Sequence, residues 1–125
     1  MDKTSIYIKM CEKAKEIQEI FQCRGLGEND FVNRDKSNPK RKGFCIIIWL
    51  PRQDQLQEMV FGHLNQKLPA WITIANFYNA INYTSKQEKS IEYYNQFTSM
   101  EQLWLAFVMC ELYNKTWNGK TWVKI

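Results

Sequence analysis

The chain has a single histidine, His63, and four cysteines, none of which form a Cys-x-x-Cys pair. A zinc site needs several nitrogen or sulfur ligands at workable spacing, and this pattern does not supply them, so no metal is expected. The strings Gly-x-Ser-x-Gly and His-Glu-x-x-His are absent, as is any Walker or deaminase pattern. That removes every recognisable set of nucleophile, base and orienting group. The four aspartates, at positions 2, 30, 35 and 54, are scattered. A carboxylate pair drawn from Glu58, Glu101 or Glu111 would be made by the fold and not by spacing. The expectation is a protein that is not an enzyme and carries no cofactor.

Long apolar runs are also missing. The run from Leu103 to Cys110 spans eight residues, whereas a membrane helix needs about 20. Met1-Asp2-Lys3-Thr4 leads into an amphipathic stretch with acidic residues and does not read as a signal peptide. No membrane association is therefore expected, and the compartment read from the chain is the cytoplasm. The cysteines, Cys11, Cys23, Cys45 and Cys110, read as buried free thiols. Gly25-Leu26-Gly27 lacks the preceding strand and the spacing of a phosphate-cradling loop, and reads as a helix stop.

With 125 residues, 45% of them apolar and 24% charged, the chain fits one globular domain over residues 1–125. Tyr7, Met10, Ala14, Ile17 and Phe21 recur at helical spacing and predict one helix from about Thr4 to Gln22. Phe31 to Asn33 and Phe44 to Leu50 predict a β-hairpin, the second strand being apolar enough to be central and buried on both faces. Pro51 ends it, and Leu56, Met59, Val60, His63 and Leu64 then share a helix face on which His63 reads as a satisfied, partly buried histidine. Pro69 fits the first turn of a further helix, with Trp71, Ile74, Ala75, Tyr78 and Ile81 on one face. Residues 83 to 90 read as a polar loop or frayed helix end. Thr98 with Glu101, or Ser99 with Gln102, forms a capping box for a helix apolar almost all round. Such a helix packs on more than one side, or else Trp104 and Phe107 build an oligomer face. Asn118-Gly119 predicts a two-residue hairpin turn flanked by Trp117 and Trp122. The architecture expected is α+β: about four helices packed on a small antiparallel sheet, with a C-terminal hairpin that extends it or stands apart.

Two groups of residues are candidates for binding. The loop from Arg34 to Gly43 holds five basic residues against one acid, a balance equal to the net charge of +4 of the whole chain. Lys36, Lys40, Arg41 and Lys42 could grip phosphates there, or they form a solvated hairpin tip that protects a strand edge. The second group is Arg52, Gln53, Asp54 and Gln55 at the strand-to-helix junction. Free backbone N–H groups at such a junction could hold an anion or a partner's backbone. In the competing reading, Arg52 and the amides tie down neighbouring loop carbonyls.

Two strings carry a resemblance. Trp49-Leu50-Pro51-Arg52-Gln53-Asp54-Gln55-Leu56-Gln57-Glu58-Met59 is one; the other runs from Phe97-Thr98-Ser99-Met100-Glu101-Gln102-Leu103-Trp104-Leu105-Ala106-Phe107-Val108-Met109 toward Trp117-Asn118-Gly119-Lys120-Thr121-Trp122. Together, over roughly residues 45 to 124, the chain resembles a family of small uncharacterised proteins encoded by phages and prophages of Gram-positive bacteria. The resemblance implies an origin and a compartment, the host cytoplasm, and no biochemical activity. Two classes of function follow. One is a protein-interaction module that occupies a host or phage protein, as a takeover or counter-defence factor. The other is a nucleic-acid or nucleotide binder that uses the basic loop and some of its aromatic residues. A homodimer fits either class.

Overall fold

The computed structural model of the chain describes residues 1–35, 46–64, 75, 77–79 and 90–125. Thr4 opens the first helix, its side chain accepting a hydrogen bond from the Tyr7 N–H at 3.3 Å. This helix, α1, covers Ser5–Lys13, and α2 covers Lys15–Arg24. The single helix expected from spacing is thus broken at Ala14, whose φ of −83° and ψ of 77° are not helical. The Ala14 N–H still bonds the Met10 and Cys11 carbonyls, at 3.1 Å each, and both carbonyls also accept from side chains. The Trp122 indole N–H donates to the Met10 carbonyl at 2.9 Å, and the Gln18 amide donates to the Cys11 carbonyl at 3.0 Å. The apolar face survives the break, because Tyr7, Met10, Cys11, Ala14, Ile17 and Phe21 are all buried.

Strand β1, Phe31–Asp35, pairs antiparallel with β2, Ile46–Leu50, from Phe31 opposite Leu50 to Asp35 opposite Ile46. Among the described residues β2 has one strand neighbour and is not the central strand expected. Its other edge is closed by a side chain. The Trp49 N–H donates to Gln18 Oε1 at 2.9 Å, and Gln18 Nε2 donates to the Trp49 carbonyl at 3.0 Å. An antiparallel strand directs both groups of alternate residues to one side, and the primary amide of Gln18 reproduces one rung of a missing strand. Ile48, Trp49 and Leu50 are buried, while Ile47 is 40% exposed. Pro51 then ends the strand, and its carbonyl accepts from the buried Tyr7 hydroxyl at 2.5 Å.

Helix α3, Gln53–Leu64, begins just past this anchor. Leu56 is buried, and Met59 and Val60 are half-buried against the core. The side chains of His63 and Leu64 lie outside the described residues, as do Trp71, Ile74 and Ile81. Residues 75 and 77–79 are helical, and among them the residue turned to the core is Phe77 and not the expected Tyr78. Phe77 is buried and stacks on Trp104 at 4.2 Å, while Tyr78 is 63% exposed. A short helix not anticipated from the sequence, α4, covers Ser90–Asn95. Tyr94 is buried from it, with Tyr93 and Phe97 packed alongside.

Helix α5, Met100–Tyr113, is capped in the Ser99 register: Ser99 Oγ accepts from the Gln102 N–H at 3.1 Å. Gln102 Oε1 accepts from the Thr98 N–H at 3.1 Å, and its amide donates to Asp2 Oδ2 at 2.7 Å. Residues 104–109 are all buried and Leu103 is half-buried, the sign of a helix packed on more than one side. β3, Lys115–Trp117, and β4, Trp122–Lys124, form a separate two-stranded sheet. Its loop has four residues and not two, since Trp117 pairs with Trp122. Asn118 Oδ1 accepts from the N–H groups of Lys120 and Thr121, at 2.9 and 2.8 Å, and Gly119 takes a φ of +94°. The described residues are therefore mixed helix and strand, with two small antiparallel sheets. None of the described helices is long and apolar enough to cross a membrane. Cys11 is buried as expected, but Cys23 is exposed.

Two substitutions test this packing by chemical denaturation. Leu56→Ala should cost about 2 to 5 kcal/mol as a core truncation, and a loss below about 1 kcal/mol would show that α3 does not pack as described. Gln18→Ala leaves the Trp49 backbone without its partners and should cost about 1 to 3 kcal/mol. Hydrogen exchange at the Trp49 amide should become markedly faster in that variant.

Candidate functional site

The Trp49 to Met59 signature folds back on the end of α2, and one carboxylate organises the junction. Asp30 precedes β1 and its side chain is only 2% exposed. Asp30 Oδ2 accepts from the Gly27 N–H at 2.7 Å and from the Arg24 guanidinium at 2.9 Å. Asp30 Oδ1 accepts from Gln55 Nε2 at 2.8 Å. Burial works against the charge, but the bonds from Gln55, Gly27 and Arg24 outweigh it and hold the carboxyl down at about 2. A side chain larger than glycine at position 27 would crowd this carboxylate, since a Cβ there would meet Asp30 Oδ2 at 3.0 Å.

The predicted binding residues surround this knot. Gln55 spends both ends of its amide, because Oε1 also accepts from the Arg52 N–H at 2.9 Å. Arg52 donates to the Asn29 carbonyl and, from Nε, to Asp54 Oδ1 at 3.0 Å. This bond holds the Asp54 carboxyl below the usual carboxylate range. Arg52 thus ties down a loop carbonyl as expected, whereas the Gln55 amide holds the Asp30 carboxylate and the Arg52 N–H and no loop carbonyl. Gln53 opens α3 and is half-buried, with no bond that joins it to the knot. Lys36, Lys40, Arg41 and Lys42 lie outside the described residues. Arg34 is within β1, opposite Ile47, and is exposed.

Beside the knot, α2, β2 and α3 enclose a cleft of about 560 Å³. Its apolar lining comes from Ile20, Trp49 and Met59, and Arg24, Asp54, Gln55 and Glu58 are its polar groups. The Arg24 guanidinium lies over the Trp49 ring, 5.1 Å from the centroid, and Phe21 stacks on that ring at 5.6 Å. The buried Trp49 indole N–H has no hydrogen-bond partner among the described residues. A second cleft of about 580 Å³ shares Ile20 and Arg24 with the first and adds Glu16, Glu19, Cys23 and Tyr113. Glu16 pairs with Lys115 of β3. Burial, together with the nearby Glu16 and Glu19, pushes the Tyr113 phenol up.

The two clefts form an amphipathic surface with an aromatic floor and carboxylates on its walls. Asp54 and Gln55 were legible as site residues from the strand-to-helix junction. Glu58 was legible only as a possible member of a carboxylate pair, and Ile20 and Arg24 were not singled out, although the helical period places these two on neighbouring turns of one helix. Compared with family models, with characterised proteins and with solved structures, the chain gives no match. Its function is therefore read from this geometry.

Asp30 provides a direct check. The Asp30→Ala replacement strands three donors and should cost about 2 kcal/mol in denaturant unfolding at neutral pH. The folded value of about 2 lies below the ordinary 3.8, so the stability it contributes is present above about pH 4 and is lost as pH falls toward 2. Stability of the native chain should fall across that window, and the variant should show a shallower fall. Equal slopes would mean that Asp30 is not held as described.

Proposed function

We propose that the chain is a non-enzymatic protein-interaction module that engages its partner through the cleft between α2, β2 and α3. In keeping with the phage and prophage resemblance, its setting is the host cytoplasm and its role that of an accessory takeover or counter-defence factor. The observation that carries this reading is the cleft itself: an apolar floor of Ile20, Trp49 and Met59 beside polar groups of which Arg24 and Gln55 are already fixed through the Asp30 knot. A preformed surface of this kind binds without first having to order its own side chains. The polar groups on it are carboxylates, amides and a guanidinium that already has a partner. That set suits recognition of another chain better than bond making.

The second reading is nucleic-acid or nucleotide binding by Lys36, Lys40, Arg41 and Lys42, and rests on their charge alone. An exposed Trp or Tyr within reach of that loop would favour it by offering a stacking platform. Among the described candidates, Trp117 and Tyr94 are buried, and Tyr93 is half-buried with its hydroxyl accepting from the Trp117 N–H at 2.9 Å. Tyr78 is exposed, so the interaction module is preferred for its preformed cleft and not for want of an exposed aromatic residue.

Affinity capture from a lysate of infected Gram-positive host cells tests the choice, with tagged wild-type protein beside Met59→Arg, which fills the cleft. A protein retained by the wild type and lost by a Met59→Arg variant of unchanged circular dichroism is the expected result. Retention of the same proteins by both would reject the cleft. For the second reading, random DNA should bind the wild type only weakly at physiological salt. Submicromolar binding, lost when Lys36, Lys40, Arg41 and Lys42 are all replaced by Ala, and falling with a log–log salt slope of roughly −0.7 to −0.9 per phosphate, would reverse the ranking.

A further inference from the structure

We infer that the occupant of the two joined clefts is an extended basic segment of a protein, with one apolar anchor side chain between cationic residues. The inference rests on the cleft being the interaction surface, and it is drawn from which charges there are already spent. Five ionisable side chains other than Tyr113 and Cys23 line the clefts: Glu16, Glu19, Arg24, Asp54 and Glu58. Arg24 is taken by Asp30, Asp54 by Arg52 and Glu16 by Lys115. Glu19 on α2 and Glu58 on α3 are exposed, and neither has an ion-pair partner among the described residues. Once the internal pairs cancel, two uncommitted negative charges remain. They belong to different walls, with Ile20 and Met59 among the apolar groups that line the space beside them.

This charge distribution selects its ligand. A phosphate or an acidic segment would meet carboxylates with no free cation among the described lining residues to offset them. A purely apolar ligand would fill the floor but leave the walls unused. An apolar side chain seated on Ile20, Trp49 and Met59, with a Lys or Arg toward Glu19 and another toward Glu58, satisfies both features. General attraction cannot stand in for this fit, because the chain as a whole carries a net charge of +4 and so repels a basic peptide at long range. The raised Tyr113 phenol, pushed by burial and then by Glu16 and Glu19, marks the same negative wall.

Fluorescence anisotropy with three labelled heptapeptides tests the occupant. Each has a central Leu; its flanks are Arg and Lys in the first, Gly and Ser in the second, Asp and Glu in the third. Each rim ion pair is worth at most about 1 kcal/mol, so two of them predict binding of the basic peptide roughly tenfold tighter than the neutral one at low salt. The gap should shrink at high salt and vanish in the double variant Glu19→Lys, Glu58→Lys, whose surface positions leave the fold intact. Replacing the central Leu by Ser should weaken the basic peptide, and Met59→Arg should remove its binding. Equal affinity for the basic and neutral peptides, or a basic preference that survives either variant, would overturn the basic occupant while leaving the cleft as an interaction surface. If none of the three peptides binds, the extended-segment occupant is wrong, and the lysate comparison decides the cleft separately.

Discussion

The Gln18 amide on the backbone of Trp49 is the contact on which the rest of the described structure turns. A two-stranded ribbon exposes two edges, and an apolar one that stays open invites pairing with other chains. β2 is such a strand. Gln18 closes its edge at Trp49 from both the donor and the acceptor side, and the same amide reaches the Cys11 carbonyl. α1, α2 and β2 are therefore joined at one point, and the turn at Ala14 is the geometry that lets one side chain reach both. A continuous helix from Thr4 to Gln22 would have kept the Cys11 carbonyl within its own ladder. The Met10 carbonyl, which also accepts from the Ala14 N–H, is tied to the C-terminal hairpin through Trp122. Buried backbone groups need partners, and here side chains 7, 31 and 112 residues away in sequence bond to them.

The Asp30 knot inherits its position from that arrangement. With β1 in register on β2, Asp30 sits at the strand entrance, where Arg24 from α2 and Gln55 from α3 converge on one carboxylate. Three donors on a largely buried carboxylate form a cooperative cluster in which each bond strengthens the others. Rigidity at this point matters to the neighbouring cleft. Arg24 and Gln55 are shared between knot and cleft, so two of its polar groups are held before any ligand arrives.

What could be read from the sequence follows the range of the interactions. Helical spacing located the buried faces of α1 and α2 and the burial of Leu56 on α3, the apolar run of α5 marked a helix packed on more than one side, and Pro51 marked the strand-to-helix junction, because those signals are local. The breaks were not local. Ala14 is a strong helix former, and nothing between Thr4 and Gln22 marks the break there, where the Met10 and Cys11 carbonyls accept from Trp122 and Gln18 as well as from the Ala14 N–H. The hairpin at Asn118-Gly119 opened to four residues because the Asn118 side chain bonds two N–H groups within the loop. Phe77, and not Tyr78, lies in the core, where it stacks on Trp104 at 4.2 Å, a tertiary contact that periodicity cannot express. The site was partly legible: Arg52, Asp54 and Gln55 stood out as a polar cluster, but their anchor, Asp30, was one of four scattered aspartates with no pattern to mark it.

Charge is distributed in this chain so that the net value says little about the candidate site. The excess of +4 equals that of residues 34 to 43, and the remainder balances. Within the balanced part, the ion pairs at the clefts remove most charges in twos, and only the residue after cancellation faces outward. Surface pairs contribute little to stability, so pairing there matters chiefly for what it leaves available to a ligand. Complementary charge at a rim governs which partner is accepted and how fast it arrives, while the buried floor provides most of the affinity. On the reading proposed, Trp49 and its neighbours would set how strongly a partner is held, and Glu19 and Glu58 would set which partner that is.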